Sequence, residues 1–322
     1  MTPKRAGAKR SSPKGTSRAK AAGRGRSAAA DKAIASRKAR HAAASVRKAD
    51  RPGGRSRSRS PRAGAPRRPP GPKGLGGEQV EGRQAVRELL LAGTRKVREV
   101  WIAAEQDDAD VLEDIAELAA SVGVPVREVS RSKLLGSART ESPQGVLARA
   151  VALPEADVDD LIAGIGRGSR PFLLLLDGVT DPGNLGALLR SAECAGVTGV
   201  VLPRHRAVHV TPTVTKAAAG SIEYLPLALV AGLPTAIRHL QESGMWVVGL
   251  DAAGPRSLFE LDLAGQPVAL VLGAEGAGLS RLVRERCDVV AHLPLGGRIG
   301  SLNVAAAGAV ACFDIARRRG HR

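Results

Sequence analysis

The chain holds 322 residues, with 49 Lys and Arg against 31 Asp and Glu for a net charge of +18, and aromatic side chains make up only 2% of it. No apolar run reaches the ~18 residues that cross a bilayer, and no apolar segment follows Met1 as a secretory leader requires. Aromatics this sparse also argue against a base-stacking platform for RNA.

The positive charge is confined to one end. Residues 1–75 contain 23 Lys and Arg against Asp31 and Asp50, a net of +21, whereas the remaining 26 basic and 29 acidic residues give −3. Between Met1 and Leu75 only Ile34 and Val46 are sizeable apolar side chains, too little to offset the entropy of ordering. The segment is expected to be a disordered basic tail, serving either as an electrostatic arm for nucleic-acid phosphates or as a solvated extension without a dedicated partner. Cys194, Cys287 and Cys312 are widely spaced in apolar or helical surroundings, which reads as reduced thiols in a cytoplasmic protein and offers no metal-binding pattern.

Order is expected to begin near Glu78. The run from Glu81 to Gly93 has apolar residues at helical spacing and a terminal glycine, and 97–103 follows as a strand. A helix over 108–122 presents Ile115, Leu118 and Ala119 on one face and stops at Gly123. Strand 124–129, a short helix at 132–135 and a closing strand at 145–152 complete a small α/β module over 76–152. Residues 153–170, with Pro154, Gly164, Gly166 and Gly168, read as a linker.

A second domain, 171–322, opens with Phe-Leu-Leu-Leu-Leu-Asp at 172–177, an apolar run ending in an acid that reads as a buried parallel strand. Helix 183–195, strand 197–202, helix 212–219, strand 224–227, helix 233–242, strands 245–250 and 267–272, helix 279–286, strand 288–293 and a C-terminal helix follow. This alternation predicts a mainly parallel α/β sheet with helices on both faces, in which ligands bind at the carboxyl ends of strands.

Three stretches fall at such ends. In the first, Asp181-Pro-Gly marks a turn, Asn184 opens a helix, and Arg190 lies six residues on among Leu, Ala and Ser. An arginine on so apolar a helix needs a partner, either a ligand or a structural ion pair with Glu193 or Glu275. In the second, Val271-Leu-Gly-Ala-Glu-Gly-Ala-Gly-Leu-Ser, an apolar strand ends in a glycine loop holding Glu275; it lacks both the Lys-Ser/Thr of a P-loop and the dinucleotide spacing. It reads as a backbone cradle for a nucleotide-like ligand or as a tight turn with a solvated acid. The third, Leu293-Pro-Leu-Gly-Gly-Arg-Ile-Gly-Ser-Leu-Asn-Val, is a glycine-studded loop feeding a small-residue helix that Ser301 or Asn303 can cap.

Taken together, residues 171–322 closely resemble the SpoU (TrmH-like) branch of the SPOUT RNA methyltransferases, with Asn184 and Arg190, Gly273 to Leu279, and Pro294 to Val304 standing where that family has its three motifs. Glu81-Gly-Arg-Gln-Ala-Val and Ser142-Pro-Gln-Gly-Val-Leu-Ala are similar to the start and end of the L30e-like substrate-binding domain found in many members; Pro143 stands where His is more frequent. The likeness is closest to actinobacterial members that methylate a guanosine ribose in 23S rRNA. The tail lies outside it.

The resemblance implies a ribose 2′-O-methyltransferase using S-adenosylmethionine, an α/β knot (a deep trefoil) at the C-terminus, a homodimer, an RNA substrate and no metal. It implies cofactor contacts at Leu250, Gly273, Leu293 and Leu302. It also implies that Arg190 acts on the reacting hydroxyl, that Glu275 orients Arg190, and that Asn184, Ser301 and Asn303 hold Arg190, the ribose and the cofactor loop. Because guanidinium is a poor base, we expect Arg190 to position a flanking phosphate and stabilise a developing alkoxide. Two other readings are the same chemistry on another rRNA or a tRNA nucleotide, and a catalytically silent ribosome-assembly factor. His205 and His209, beside Arg204 and Arg206, read as an RNA-contact edge or a solvated loop.

Overall fold

The structure, a computed structural model, describes residues 75–104, 109–204 and 210–320. The basic tail expected over residues 1–75, apart from Leu75, lies outside the described residues, as do His205, Arg206 and His209.

The small module is built from β1 (Gln79–Glu81), α1 (Arg83–Ala92), β2 (Val97–Ala103), α2 (Ala109–Ser121), β3 (Val126–Val129), α3 (Arg131–Ser137) and β4 (Val146–Ala150). Its sheet runs β1-β4-β2-β3, with β2 and β3 parallel and the other pairs antiparallel. Helix α1 places Ala85, Val86, Leu89 and Leu90 on one buried stripe and ends at Gly93 with φ 59°. That stripe packs with Ile115 of α2 against Val100, Val146 and Ala148 on one face of the sheet. On the opposite face Leu134 of α3 meets Ala103, Val129 and Trp101.

Glu81, expected at a helix start, instead closes β1 with its side chain fully buried. Its carboxylate accepts from the Arg139 and Thr140 backbone amides (2.7 and 3.0 Å), the Thr140 hydroxyl (2.5 Å) and the Gln79 side-chain Nε2 (2.6 Å). Four donors compensate a burial that would otherwise be prohibitive. Gln144 holds the same loop from its far end, its Oε1 accepting from the Arg83 amide at 3.0 Å. The two sequence stretches at either end of the module thus meet in space.

Residues 153–170, read as a linker, carry a one-turn helix, α4 (Val158–Leu161), capped by Asp157. Ile162 is buried in the core of the larger sheet, with Leu161 and Ile165 packed on it. The three apolar side chains explain why the segment docks rather than merely connects.

The larger domain comprises β5 (Phe172–Asp177), α5 (Pro182–Cys194), β6 (Gly199–Pro203), α6 (Pro212–Ala217), β7 (Leu227–Val230), α7 (Leu233–Glu242), β8 (Trp246–Leu250), β9 (Arg256–Ser257), β10 (Val268–Gly273), α8 (Arg281–Arg286), β11 (Val289–His292) and α9 (Val304–Arg318). Its seven strands lie in the order β7-β6-β5-β10-β8-β11-β9, and every pairing among the described residues is parallel. The strand expected at 224–227 falls at Leu227–Val230, because Ser221–Glu223 forms a 3-10 turn that directs Glu223 inward. Helix α9 comes close enough to α5 and β10 that a Cβ on Gly308 would stand 2.3 Å from Leu188 Cδ2 and 2.7 Å from Leu272 Cδ1. Gly308 is therefore a packing requirement. No helix of the described residues is long and apolar enough to cross a membrane.

Candidate active site

The order of the strands puts the carboxyl ends of β8, β10 and β11 side by side, and the loops leaving them enclose a cleft of about 940 Å³. That volume lies within the range of small-molecule sites. Leu250, Gly273, Glu275, Leu293, Ser301, Leu302 and Asn303 all line it. Of the nine residues singled out from the sequence, Asn184 and Arg190 lie outside the lining.

Backbone geometry shapes the floor. Ala274 and Gly278 exchange both backbone hydrogen bonds, at 3.0 and 2.9 Å, so the loop after β10 folds flat onto its own strand end. A Cβ at Gly273 would lie 2.1 Å from the Gly278 carbonyl carbon, which explains the glycine there. Asp177, at the end of the adjoining β5, accepts from the Ser280 amide at 2.7 Å and fixes the exit of the loop. Beyond β8, Asp251 accepts from the Ala253 amide at 2.8 Å and pairs with Arg284 at 2.6 Å, and Arg284 also donates to the Ala253 carbonyl. Burial pushes the Asp251 carboxyl up, but the Arg284 hydrogen bond and backbone amides outweigh it and hold the group below its ordinary value.

The three motifs meet in a single hydrogen-bonded relay at the rim. Asn303, rather than Ser301, caps α9, its Oδ1 accepting from the Ala305 and Ala306 amides at 2.9 and 3.3 Å. Its Nδ2 donates to Asn184 Oδ1 at 2.9 Å, and Asn184 Nδ2 donates to Glu275 Oε2 at 3.1 Å. Asn184 is itself set at the first turn of α5 by Asp181, which caps that helix through the Asn184 amide at 2.6 Å.

Glu275, expected to orient Arg190, therefore takes Asn184 as its partner. Arg190 lies six residues further along α5, about 9 Å at the helical rise, and is exposed. It makes no hydrogen bond or ion pair with another described residue, so neither a Glu193 nor a Glu275 pair forms. Ser301 and Leu302 are exposed on the loop that walls the cleft. Arg204, read as part of an RNA-contact edge, is engaged with Glu155 at 2.5 Å.

Asp251 and Arg284 did not emerge from the sequence. Asp251 follows the last residue of a strand, as Asp177 ends one, and that shared position is the signal that would have found it. No group of three or more His, Cys, Asp or Glu among the described residues is arranged to hold a metal ion. Cys287 and Cys312 are buried, and burial pushes both thiols up to about 12.

A parallel sheet with a cleft at its strand ends, floored by backbone and rimmed by amides and carboxylates, is the class of α/β fold whose strand ends accommodate a small ligand. Residues 171–313 match the SpoU rRNA Methylase family, and residues 79–156 match the family described as RNA 2′-O ribose methyltransferase substrate binding. The chain belongs to the SpoU family and is an RNA 2′-O-methyltransferase by class. It is 40% identical over 243 residues to the 23S rRNA (guanosine-2′-O-)-methyltransferase RlmB of Shewanella oneidensis, covering 74% of this chain and 97% of that one. The enzyme of the same name from Pseudomonas aeruginosa is 41% identical over 244 residues, covering 75% and 97%. Among solved structures, the SpoU methyltransferase AviRb of Streptomyces viridochromogenes in complex with AdoMet superposes with a TM-score of 0.63 at 26% identity, covering 75% of this chain and 89% of that one.

Proposed function

We propose that this chain transfers the methyl group of S-adenosylmethionine to the ribose 2′-oxygen of a guanosine in 23S rRNA. The relay Asn303–Asn184–Glu275 carries the reading, because it joins three stretches far apart in sequence at the mouth of one cleft. The target follows the activity for which relatives at about 40% identity are named.

The residues present fit the cofactor. Leu250, Leu293 and Leu302 offer apolar surface to an adenosine, and the loop folded onto Gly273 offers backbone groups where a side chain would obstruct. S-adenosylmethionine supplies a methyl group on a sulfonium, ready for in-line displacement. The chain must then align the 2′-oxygen opposite that carbon, and alignment alone is worth up to ~7–11 kcal/mol in ideal cases. In this reading Arg190, exposed and without a hydrogen-bond partner among the described residues, engages the phosphate beside the target ribose and stabilises the alkoxide as its proton passes to solvent water. Glu275 and Asn303 hold the Asn184 amide in one orientation, and Ser301 lines the wall that the ribose approaches.

The same reading includes a homodimer, supported by the exposed Val310 (44%) and Phe313 (50%) on α9. It includes an L30e-like fold for the small module and a deep trefoil knot at the C-terminus. In support of the knot, β11 inserts between β8 and β9, both of which precede it in the chain. A cytoplasmic location suits a substrate that is ribosomal RNA.

The test is methyl transfer from labelled S-adenosylmethionine to protein-free 23S rRNA, with mapping of the modified nucleotide and Arg190→Ala alongside. Transfer to one guanosine ribose, lost in the variant, is expected. RNA binding without transfer and without cofactor binding would replace the reading with an assembly factor.

A further inference from the structure

The relay and cleft use none of the small module's exposed charge, and one face of its sheet gathers much of it. Strand alternation sends Glu99, Trp101 and Ala103 of β2, Arg127 and Val129 of β3, and Leu147 and Arg149 of β4 to the face away from α1 and α2, as the pairings Glu99–Arg149, Trp101–Leu147 and Trp101–Arg127 require. Helix α3 covers only one end of that face, through Leu134. Beside it Leu147 is fully buried and Trp101 half-buried, while Arg127 and Arg149 on the same face are exposed.

Two cations sit against the Trp101 ring. Lys133 Nζ lies 5.4 Å and Arg149 Cζ 5.0 Å from the ring centroid, both within cation–π range. Arg127 and Arg149 flank Glu99, at 3.0 and 3.6 Å, yet their side chains remain 66% and 46% exposed. On the same side α3 begins with Arg131, exposed like Lys133, and α3 contains no acid. Arg127 and Arg149 therefore share the Glu99 carboxylate, and the other acid on this face, Glu81 of β1, is fully buried and bonded to Gln79, Arg139 and Thr140. Glu99 holds the two guanidinium groups with one charge between them, and the uncharged indole contacts Arg149 again and adds Lys133, so three cations are set by one acid and one ring. The indole Nε1 is buried and has no hydrogen-bond partner among the described residues, so the ring serves here as a platform.

Such an array suits one kind of partner. Its charge surplus needs a polyanion, its cations are already positioned, and its ring is occupied by them rather than free to stack on a base. We propose that the Trp101 face, with Arg127, Lys133 and Arg149 as its cations, contacts the phosphate backbone of the RNA substrate. This rests on the reading of the chain as an rRNA methyltransferase and adds to it a place where the RNA lies. Each phosphate neutralised there releases condensed counterions, so the surface contributes affinity that falls with salt.

The experiment uses the full chain. Binding to protein-free 23S rRNA is measured across a salt series for the wild type, Lys133→Ala and Lys133→Ala/Arg149→Ala, with methyl transfer and S-adenosylmethionine binding measured in parallel. Lys133 is exposed on a helix, so its replacement leaves the fold intact whatever the double variant does. The single variant is expected to weaken RNA binding about threefold and the double about tenfold at 0.1 M salt, with the log–log salt slope shallower by about one per cation removed and cofactor affinity unchanged. Wild-type affinity and slope in both variants, with the wild type methylating normally, overturns this surface alone. Weakened RNA binding in the variants of a protein that transfers no methyl group would retain the surface and overturn the enzymatic reading.

Discussion

Arg95 and Glu223 stand 128 positions apart and form a buried, two-pronged ion pair, Nε to Oε2 at 2.9 Å and Nη2 to Oε1 at 2.6 Å. Their side chains are 3% and 1% exposed. Arg95 Nη1 also donates to the carbonyls of Gly77 and Val151, so its guanidinium is saturated on the side facing the small module. One salt bridge thus fastens the small module to the turn after α6. Removing one partner strands the other charge in the interior. Glu223→Ala is expected to destabilise by about 3–5 kcal/mol in chemical denaturation. An apolar double replacement, Arg95→Met with Glu223→Leu, should recover much of that loss. A small loss in the single variant would contradict the assignment.

Asn303 has two separable duties, and one substitution divides them. Asn303→Asp keeps an oxygen for the Ala305 and Ala306 amides but loses the donor to Asn184. Thermal stability should stay near wild type while kcat falls at least tenfold, whereas Asn303→Ala should lose about 1 kcal/mol of stability as well. Equal kcat in Asn303→Asp and wild type would remove the relay from the mechanism.

At Gly273 the obstacle to any side chain is backbone. Gly273→Ala forces the Gly278 carbonyl to move from a position 2.1 Å from the new carbon. Calorimetric titration with S-adenosylmethionine should show affinity reduced more than tenfold, with the melting temperature lowered by a smaller proportion. Retained affinity would mean that the cofactor lies elsewhere in the cleft.

Acid should loosen the cleft through Asp251. Its folded-state carboxyl lies below the ordinary 3.8, so the stabilisation is fully present above that pH and is lost as pH falls through the depressed folded value. The stability gap between wild type and Asp251→Asn should therefore be constant at neutral pH and close below about pH 3.8. A gap that persists unchanged in acid would show that charge is not what Asp251 contributes.

Thiol accessibility gives a simpler check. Only Cys194 is exposed, so a thiol reagent at pH 8 should modify one cysteine in the native chain and three after denaturation.

The larger domain was legible wherever an apolar run met a turn. Phe172–Asp177 and Leu233–Glu242 stand where periodicity places them, and the three glycine-bearing loops gather at strand ends as parallel α/β topology requires. Very short elements left no such mark. The two residues of β9 have no period to read, and β1 was hidden because Glu81 resembles a helix start until Arg139 and Thr140 fold over it. Side-chain partnerships were the least legible. Charge complementarity suggests Arg190 for Glu275, but which donor arrives is decided by the crossing of α5 over a loop 91 positions away, and there Asn184 comes first.

The strand order also sets a schedule for synthesis. Strand β5 gains β6 soon after it is made, since Leu173 pairs with Gly199, but its other neighbour starts at Val268, 96 positions beyond its partner Phe172. At about 5–20 residues per second, that interval lasts roughly 5–20 s. Throughout it, a strand with five consecutive apolar residues presents an unpaired edge to whatever surrounds the ribosome, so the step most exposed to misassociation is the wait for β10 rather than any later closure of the active site.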